Sequence, residues 1–194
     1  NHEDLLVDFV EKLPTYAETG LQYCHHYSNG TVQTVRDMTG STITKMSMYP
    51  GAIAAGMRRL GIFKTILPAM KNYFETKNYI FVHGWIPAIA NGVGGRADNF
   101  KYDPDWRSAD SVSWYFARWY NGMLAAHQGV IEPGKTIVCG HWHTSFGHAN
   151  YEGKGSEFGK DADFSPYFAD GIIALDACTA HSKKVNCIVL EDDI

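Results

Sequence analysis

The sequence lacks the features of membrane, secreted and nucleic-acid-binding proteins. It has no run of about eighteen uninterrupted apolar residues, so no segment is predicted to span a membrane. No charged segment followed by an apolar one is visible as a signal peptide. Its four cysteines form no Cys-x-x-Cys pair, and we interpret them as reduced, buried thiols of a cytoplasmic protein. The net charge of -4 provides no basic stripe for nucleic acid.

What the chain does have is the length and the apolar content of one folded domain. Its 194 residues, 45% of them hydrophobic, can bury a sizeable core. Apolar residues recur at helical spacing over residues 5–13, and we expect Pro14 to end that helix. Short β-prone runs appear farther along the chain. The combination predicts an α/β fold.

Two of the β-prone runs end in a histidine beside a glycine. The first ends in Val82-His83-Gly84 and the second in Gly140-His141-Trp142-His143. Ligand sites in open α/β sheets lie at the carboxyl edge of the strands, where both motifs should deliver their histidines. Gly140 allows the backbone to bend, so that His141 and His143 could converge on a metal ion. Either motif alone fits ordinary polar loop histidines equally well.

These motifs, preceded by Asn1-His2-Glu3, resemble the calcineurin-like metallophosphoesterase superfamily, which includes phosphoprotein phosphatases and symmetrical dinucleoside tetraphosphatases. The superfamily has Gly-Asn-His-Asp/Glu, then Val-His-Gly, then Gly-His-x-His, in that order, and the resemblance spans nearly the whole chain. It implies the later part of a two-sheet β-sandwich flanked by helices. Residues 1–194 would then form a single domain, the carboxyl-terminal part of a metallophosphoesterase domain.

The resemblance also implies a site with two divalent metal ions, which could be manganese, iron or zinc. The ligands would be Asn1, His83 and His141 on one ion and His143 on the other. His2 would stand near the leaving oxygen as a general acid. Arg118, which follows an aromatic segment beginning at Trp114, would grip the substrate phosphate.

The implied reaction is phosphoester hydrolysis by a metal-bridging hydroxide. The leading substrate is phosphoserine or phosphothreonine on a protein, or a similar small phosphoester. A dinucleoside polyphosphate hydrolase and a non-catalytic binding module on the same scaffold are the alternatives. The superfamily's Asp-x-His and Gly-Asp-x-x-Asp-x-Gly motifs do not occur here, so we expect a complete site to need an amino-terminal segment upstream of Asn1.

Several other stretches carry structural expectations. The adjacent His25 and His26 should point in different directions and play no part in a site. Residues 91–96 are Gly-rich and predict a surface loop, and the aromatic-rich residues 106–123 predict one helix. Residues 144–165 predict a long loop. Strands over residues 171–176 and 185–190 should form a closing hairpin.

Overall fold

A computed structural model describes residues 1–91 and 99–192, except for the side chains of residues 90 and 91. The Gly-rich loop expected over residues 91–96 therefore lies, after its first residue, outside the described part. The described residues form a mixed α/β structure with ten α-helices and a five-stranded mixed sheet. The chain divides into two compact units, Asn1–Met70 and Lys71–Ile194. That the whole belongs to one metallophosphoesterase domain stays a prediction.

The first unit is helical. Its helices are α1 His2–Thr19, α2 His25–Ser28, α3 Thr31–Thr39, α4 Ile43–Met48, α5 Pro50–Arg59 and α6 Leu67–Ala69, with a π-helical turn at Ile62–Ile66 before α6. Amphipathic stripes from these helices bury one apolar cluster. The cluster contains Leu6, Phe9, Val10, Leu13, Leu21, Val32, Val35, Met46, Ala54 and Met57. In the described residues, no helix has both the length and the apolar character of a membrane span.

Helix α1 does not end at Pro14 as expected. Proline removes one backbone donor, and the helix nevertheless continues to Thr19 with exposed Pro14 inside it. The turn beyond the proline is held by Tyr16, whose ring stacks on Phe9 at 5.9 Å between ring centres. The Tyr16 hydroxyl also donates to Asp8 at 2.9 Å. These contacts on the buried side outweigh the local preference of proline.

The second unit is built on a five-stranded sheet. Its strands are β1 Tyr73–Glu75, β2 Tyr79–Val82, β5 Thr136–Cys139, β6 Tyr167–Ala169 and β7 Ile172–Ala174, in the order β1-β2-β5-β7-β6. The three central strands are parallel, and the two edge strands are antiparallel to their neighbours. A separate two-stranded sheet contains β3 Ile89–Asn91 and β4 Asn99–Lys101. The two strands predicted before the histidine motifs are therefore confirmed, and the structure shows that they are parallel neighbours.

The described part of the second unit also contains short helices. They are α7 Ser111–Ala117, α8 Gly122–His127, α9 Ser145–Tyr151 and α10 Thr179–Ser182, and a 3-10 turn lies at Trp106–Ser108. The single helix expected over residues 106–123 is thus wrong. The first helix ends at Ala117, and a second one begins after Asn121, whose side-chain oxygen accepts the Leu124 N–H at 3.1 Å as an N-cap. The aromatic residues still form the core, as Trp85, Trp106, Trp114 and Tyr167 are all buried.

The end of the chain also differs from the sequence prediction. Strand β7 pairs with β6 across a turn at Gly171, whose φ of 69° is left-handed, and residues 185–190 form no strand. The Asn186 side chain instead donates to the Leu175 carbonyl oxygen at 3.2 Å. All four cysteines are free, but the expectation that they are buried holds only for Cys139, since Cys24 and Cys178 are half-buried and Cys187 is exposed. Residues 144–165 are not wholly a loop, since α9 lies within them.

Candidate metal centre

His83 and His141 meet at the carboxyl edge of the sheet. Because β2 and β5 are parallel neighbours, the residues that follow them stay side by side, and the Gly140 N–H donates to the His83 carbonyl oxygen at 2.9 Å. The imidazole centres lie 5.1 Å apart with ring planes at 53°. His83 is exposed and His141 is half-buried. The edge therefore presents two imidazoles that one small ligand could reach.

A tight turn directs the His141 side chain. His141 has a φ of 64°, a left-handed conformation that costs a residue with a Cβ atom roughly 1–2 kcal/mol. The Trp142 N–H closes this turn by donating to the Gly140 carbonyl oxygen at 2.7 Å. The sequence placed a bend at Gly140, but the left-handed residue is the histidine itself. Strain at a candidate ligand is typical of functional sites.

Gly84 allows a helix end to approach the His83 loop. A Cβ atom on Gly84 would lie 2.5 Å from the Ala117 carbonyl oxygen and 2.7 Å from that of Arg118, so only glycine fits without a shift. The Trp85 N–H donates to the same Ala117 oxygen at 2.9 Å. The carboxyl end of α7 is thereby fixed beside the first histidine motif.

Arg118 follows the carboxyl end of α7, and the next residue, Trp119, contacts His141. The Trp119 ring stands edge-on to the His141 ring, with 5.6 Å between centres and 86° between planes. Arg118 is half-buried, and its Nη1 donates to the Asn72 side-chain oxygen at 2.9 Å. Its Cζ lies 6.0 Å from the centre of the Tyr115 ring. The structure thus places the Arg118 backbone against the site and fixes one side of its guanidinium on Asn72.

The tautomer of His143 is set by its neighbours. Ser145 Oγ donates its only proton to the Glu157 carbonyl oxygen at 2.7 Å, so the contact of 2.8 Å with His143 Nδ1 requires that Nδ1 carries a proton. His143 Nε2 then holds the lone pair, 3.6 Å from Glu157 Oε1. Burial lowers the pKa of His143, while the charges of Glu157 and Asp176 raise it to a smaller extent. A neutral ring with a lone pair facing a carboxylate is suited to hold a cation between them.

A cavity of about 490 Å³ lies beside His83 and the end of β7. Its polar lining includes Asp176, whose Oδ1 accepts the Cys178 N–H at 2.7 Å and whose carbonyl oxygen accepts the Thr144 N–H at 2.9 Å. The second of these bonds ties the β7 end to the chain just after His143. Burial, together with the Asp176 charge, raises the pKa of the adjacent Cys139 to about 12, so this thiol stays protonated.

Asn1 and His2 belong to the first unit. Asn1 is buried and stands at the N-cap of α1, where its carbonyl oxygen accepts the Leu5 N–H at 3.2 Å. His2 is the first residue of the helix and is exposed. Asn1 therefore precedes the helix, whereas His2 lies in its first turn. Their roles as metal ligand and general acid stay predictions.

The spacing of His83 and His141 is compatible with two imidazoles that share one metal ion. Metal–nitrogen bonds of about 2.1 Å at a near-tetrahedral angle place two ligand rings about 5 Å apart between centres. The His83–His141 separation of 5.1 Å matches that value. Among the described residues, the group of three side chains whose ligand atoms all lie within 4.8 Å of one another is Asp8, His25 and His26, and it includes no residue of the sheet edge.

Sequence reasoning missed three residues of this region, Ser145, Glu157 and Asp176. Asp176 is the last residue of a predicted strand and lies just beyond the observed β7, near the position that identified the two histidines, so the sequence did carry a signal for it. Ser145 and Glu157 act through the fold of a stretch that was expected to be a loop. No local pattern marks them.

Comparisons with models of protein families, with curated proteins and with solved structures found no match to this chain.

Proposed function

We propose that the chain is part of a metal-dependent phosphoester hydrolase that resembles the calcineurin-like metallophosphoesterases. The observation that carries the proposal is the convergence of His83 and His141, 5.1 Å apart between ring centres, at the ends of parallel neighbouring strands. Three motifs in the order of that superfamily support it. On this proposal the sheet of the second unit is the later part of the two-sheet sandwich.

The proposed ligands are Asn1, His83 and His141 for one ion and His143 for a second. Bound divalent ions supply a water activated at neutral pH and positive charge that faces the phosphate oxygens. The chain holds the imidazoles ready for this role. Ser145 keeps the proton on His143 Nδ1, which leaves the Nε2 lone pair to bind a metal ion. The turn closed by the Gly140 carbonyl oxygen fixes the direction of His141.

His2 and Arg118 are the proposed residues that act on the substrate. A histidine can give a proton to the departing alkoxide near neutral pH, and His2 is exposed to do so. The planar fork of Arg118 suits the oxygens of a phosphate group, and Asn72 restrains one side of it. Together these residues would protonate the leaving group and orient the phosphate.

The proposed substrate is a phosphomonoester, with phosphoserine or phosphothreonine on protein as the leading form. The aromatic rings beside the histidine pair are engaged by other rings. Trp119 stands edge-on to His141, and Trp142 stands at 78° to Phe146 with 6.2 Å between centres. This arrangement favours a substrate without an adenine to stack.

Phosphatase assays of the full-length protein with manganese test the proposal. We expect it to hydrolyse p-nitrophenyl phosphate and phosphopeptides, and to prefer phosphopeptides over diadenosine tetraphosphate in kcat/KM. His141→Ala should abolish turnover. The control His127→Gln changes an exposed histidine that contacts Tyr167 in β6, and it should retain turnover. Absence of hydrolysis of every phosphoester, or full activity of His141→Ala, would refute the proposed function.

A further inference from the structure

Three metal-ligating side chains converge in the first unit. Asp8, His25 and His26 each offer one ligand atom, and these atoms all lie within 4.8 Å of one another. The expectation that the adjacent histidines diverge is wrong, because their ring centres lie 3.8 Å apart with planes at 39°. Both residues occupy the first turn of α2, directly after extended Cys24, where the His25 ring lies over the His26 ring.

Helix α1 supplies the carboxylate and its supports. Asp8, Lys12 and Tyr16 are four residues apart, so they form one stripe on the helix surface. Tyr16 donates to Asp8 Oδ2 at 2.9 Å, and Lys12 Nζ lies 2.5 Å from Oδ1. Partial burial raises the pKa of the Asp8 carboxyl, but hydrogen bonds from Lys12, His26 and Tyr16 outweigh it and hold the pKa below its usual value. Asp8 is therefore a charged oxygen donor at neutral pH.

His26 contains a nitrogen that no protein group satisfies. Its side chain is fully buried, and Nε2 lies 2.9 Å from Asp8 Oδ2. Within the described residues, Nδ1 has no hydrogen-bond partner. If Nε2 carries the proton, the Nδ1 lone pair is buried without a donor; if Nδ1 carries it, the Nε2 lone pair faces the carboxylate. An unsatisfied buried group costs about 1–3 kcal/mol, and in the tautomer with the proton on Nδ1 a cation between Nε2 and Asp8 would replace the repulsion between the lone pair and the carboxylate.

We propose that Asp8, His25 and His26 bind one divalent transition-metal ion, such as zinc. Two imidazole nitrogens and one carboxylate oxygen form a donor set that zinc uses, with water able to complete the coordination. The His26 ring is held against Asp8 by the 2.9 Å contact of Nε2 with Oδ2, and the His25 ring lies 3.8 Å from it between centres, so the three donors are already gathered on one side of α1 and α2. The proposed zinc site shares no residue with the proposed phosphoesterase site, and neither proposal depends on the other.

Binding requires two local rearrangements. Donors on one zinc ion lie roughly 3.3 Å apart, so the cluster must contract from its present span, and the exposed His25 can supply that movement. Lys12 must also move away from Asp8, because its ammonium group already pairs with the carboxylate that the metal ion would bind. The Lys12 side chain is 61% exposed and can turn into solvent. Lys12 thus competes with the ion for Asp8.

This competition gives two variants with opposite expected effects. In the full-length protein, His25→Ala should lose one bound zinc ion or weaken its binding at least about tenfold, measured by equilibrium dialysis. Lys12→Gln should bind the same ion more tightly than wild type. Both side chains are largely exposed, so neither change should unfold the helical unit, which circular dichroism would verify. His127→Gln is the matched histidine control and should retain wild-type zinc binding.

Imidazole 15N spectra separate this site from the other. Zinc should shift the ring signals of His25 and His26 in wild type and also in His141→Ala, which removes only the sheet-edge site. Failure of the proposed phosphoesterase would leave this result unchanged. Equal zinc content and affinity in wild type and His25→Ala, or zinc spectra without a shift of the His25 ring, would overturn the proposal.

Discussion

The Gly140 N–H donates to the His83 carbonyl oxygen at 2.9 Å, two residues beyond the last paired residues of β2 and β5. This bond carries the parallel register into the two histidine motifs. It explains why residues 58 positions apart along the chain share one edge of the sheet. The left-handed turn at His141 then directs the second imidazole, with a conformational cost that the rest of the site must offset.

That cost can be measured by comparing two substitutions of His141. His141→Gly and His141→Ala both remove the imidazole, but only glycine adopts a φ of 64° without steric penalty. We expect the glycine variant to be more stable than the alanine variant by about 1 kcal/mol in urea unfolding. At Cys139, which lies in β5, the glycine variant should instead be less stable than the alanine variant, because glycine weakens a strand. Equal stability of the two His141 variants would mean that the turn is not left-handed.

The sequence predicted the strands that end at His83 and His141 because each is a short apolar run closed by a glycine motif. The general position of sites in α/β sheets placed both histidine motifs at the carboxyl edge, but it did not predict that the two strands pair directly. The strand prediction was wrong at residues 185–190. There the Asn186 side chain donates to the Leu175 and Phe164 carbonyl oxygens, and the segment does not pair as a strand. Local composition could not reveal that distant competition.

Long-range contacts also explain the other errors. Helix α1 continues beyond Pro14 because Tyr16 donates to Asp8 and stacks on Phe9. A local rule for proline cannot include the stabilisation from these contacts. His25 and His26 converge because α2 begins at His25 and packs against α1, which is tertiary information. Helix α9, which carries Ser145, has too weak an apolar pattern to be predicted from sequence.

The tautomer of His143 gives a second prediction. The proton should reside on Nδ1 in wild type because Ser145 Oγ accepts it, and imidazole 15N shifts report this directly. Ser145→Ala removes the acceptor, so the Nε2–H form should become populated and metal affinity should fall about tenfold. Ser156→Ala removes a hydroxyl that bonds only the nearby Phe158 carbonyl oxygen, and should change neither property. A wild-type His143 with its proton on Nε2 would contradict the assignment.

The third prediction concerns the pH dependence of stability. Hydrogen bonds from Arg107, helped by Lys135, lower the pKa of Glu75 to about 2. Because the folded-state pKa lies below the unfolded one, Glu75 contributes stability above about pH 4.5 that is lost as the pH falls toward 2. The contribution is at most about 3 kcal/mol.

Urea unfolding across this range measures the effect. Glu75→Gln should be less stable than wild type at pH 7, and the two free energies of unfolding should converge as the pH falls below about 4.5. Arg107→Gln should flatten the profile in the same way, since it removes the main hydrogen-bond donor. A difference between wild type and Glu75→Gln that stays constant down to pH 3 would show that this ion pair does not lower the pKa.

The most direct test of the central claim is a double-mutant cycle on manganese affinity in the full-length protein, with His83→Ala, His141→Ala and both together. Residues that ligate one ion act as a unit, so their effects should be strongly non-additive. We predict that each single variant loses at least about tenfold in affinity and that the double variant loses far less than the product of the two losses. Fully multiplicative losses, or single variants with wild-type affinity, would contradict a metal ion shared by His83 and His141.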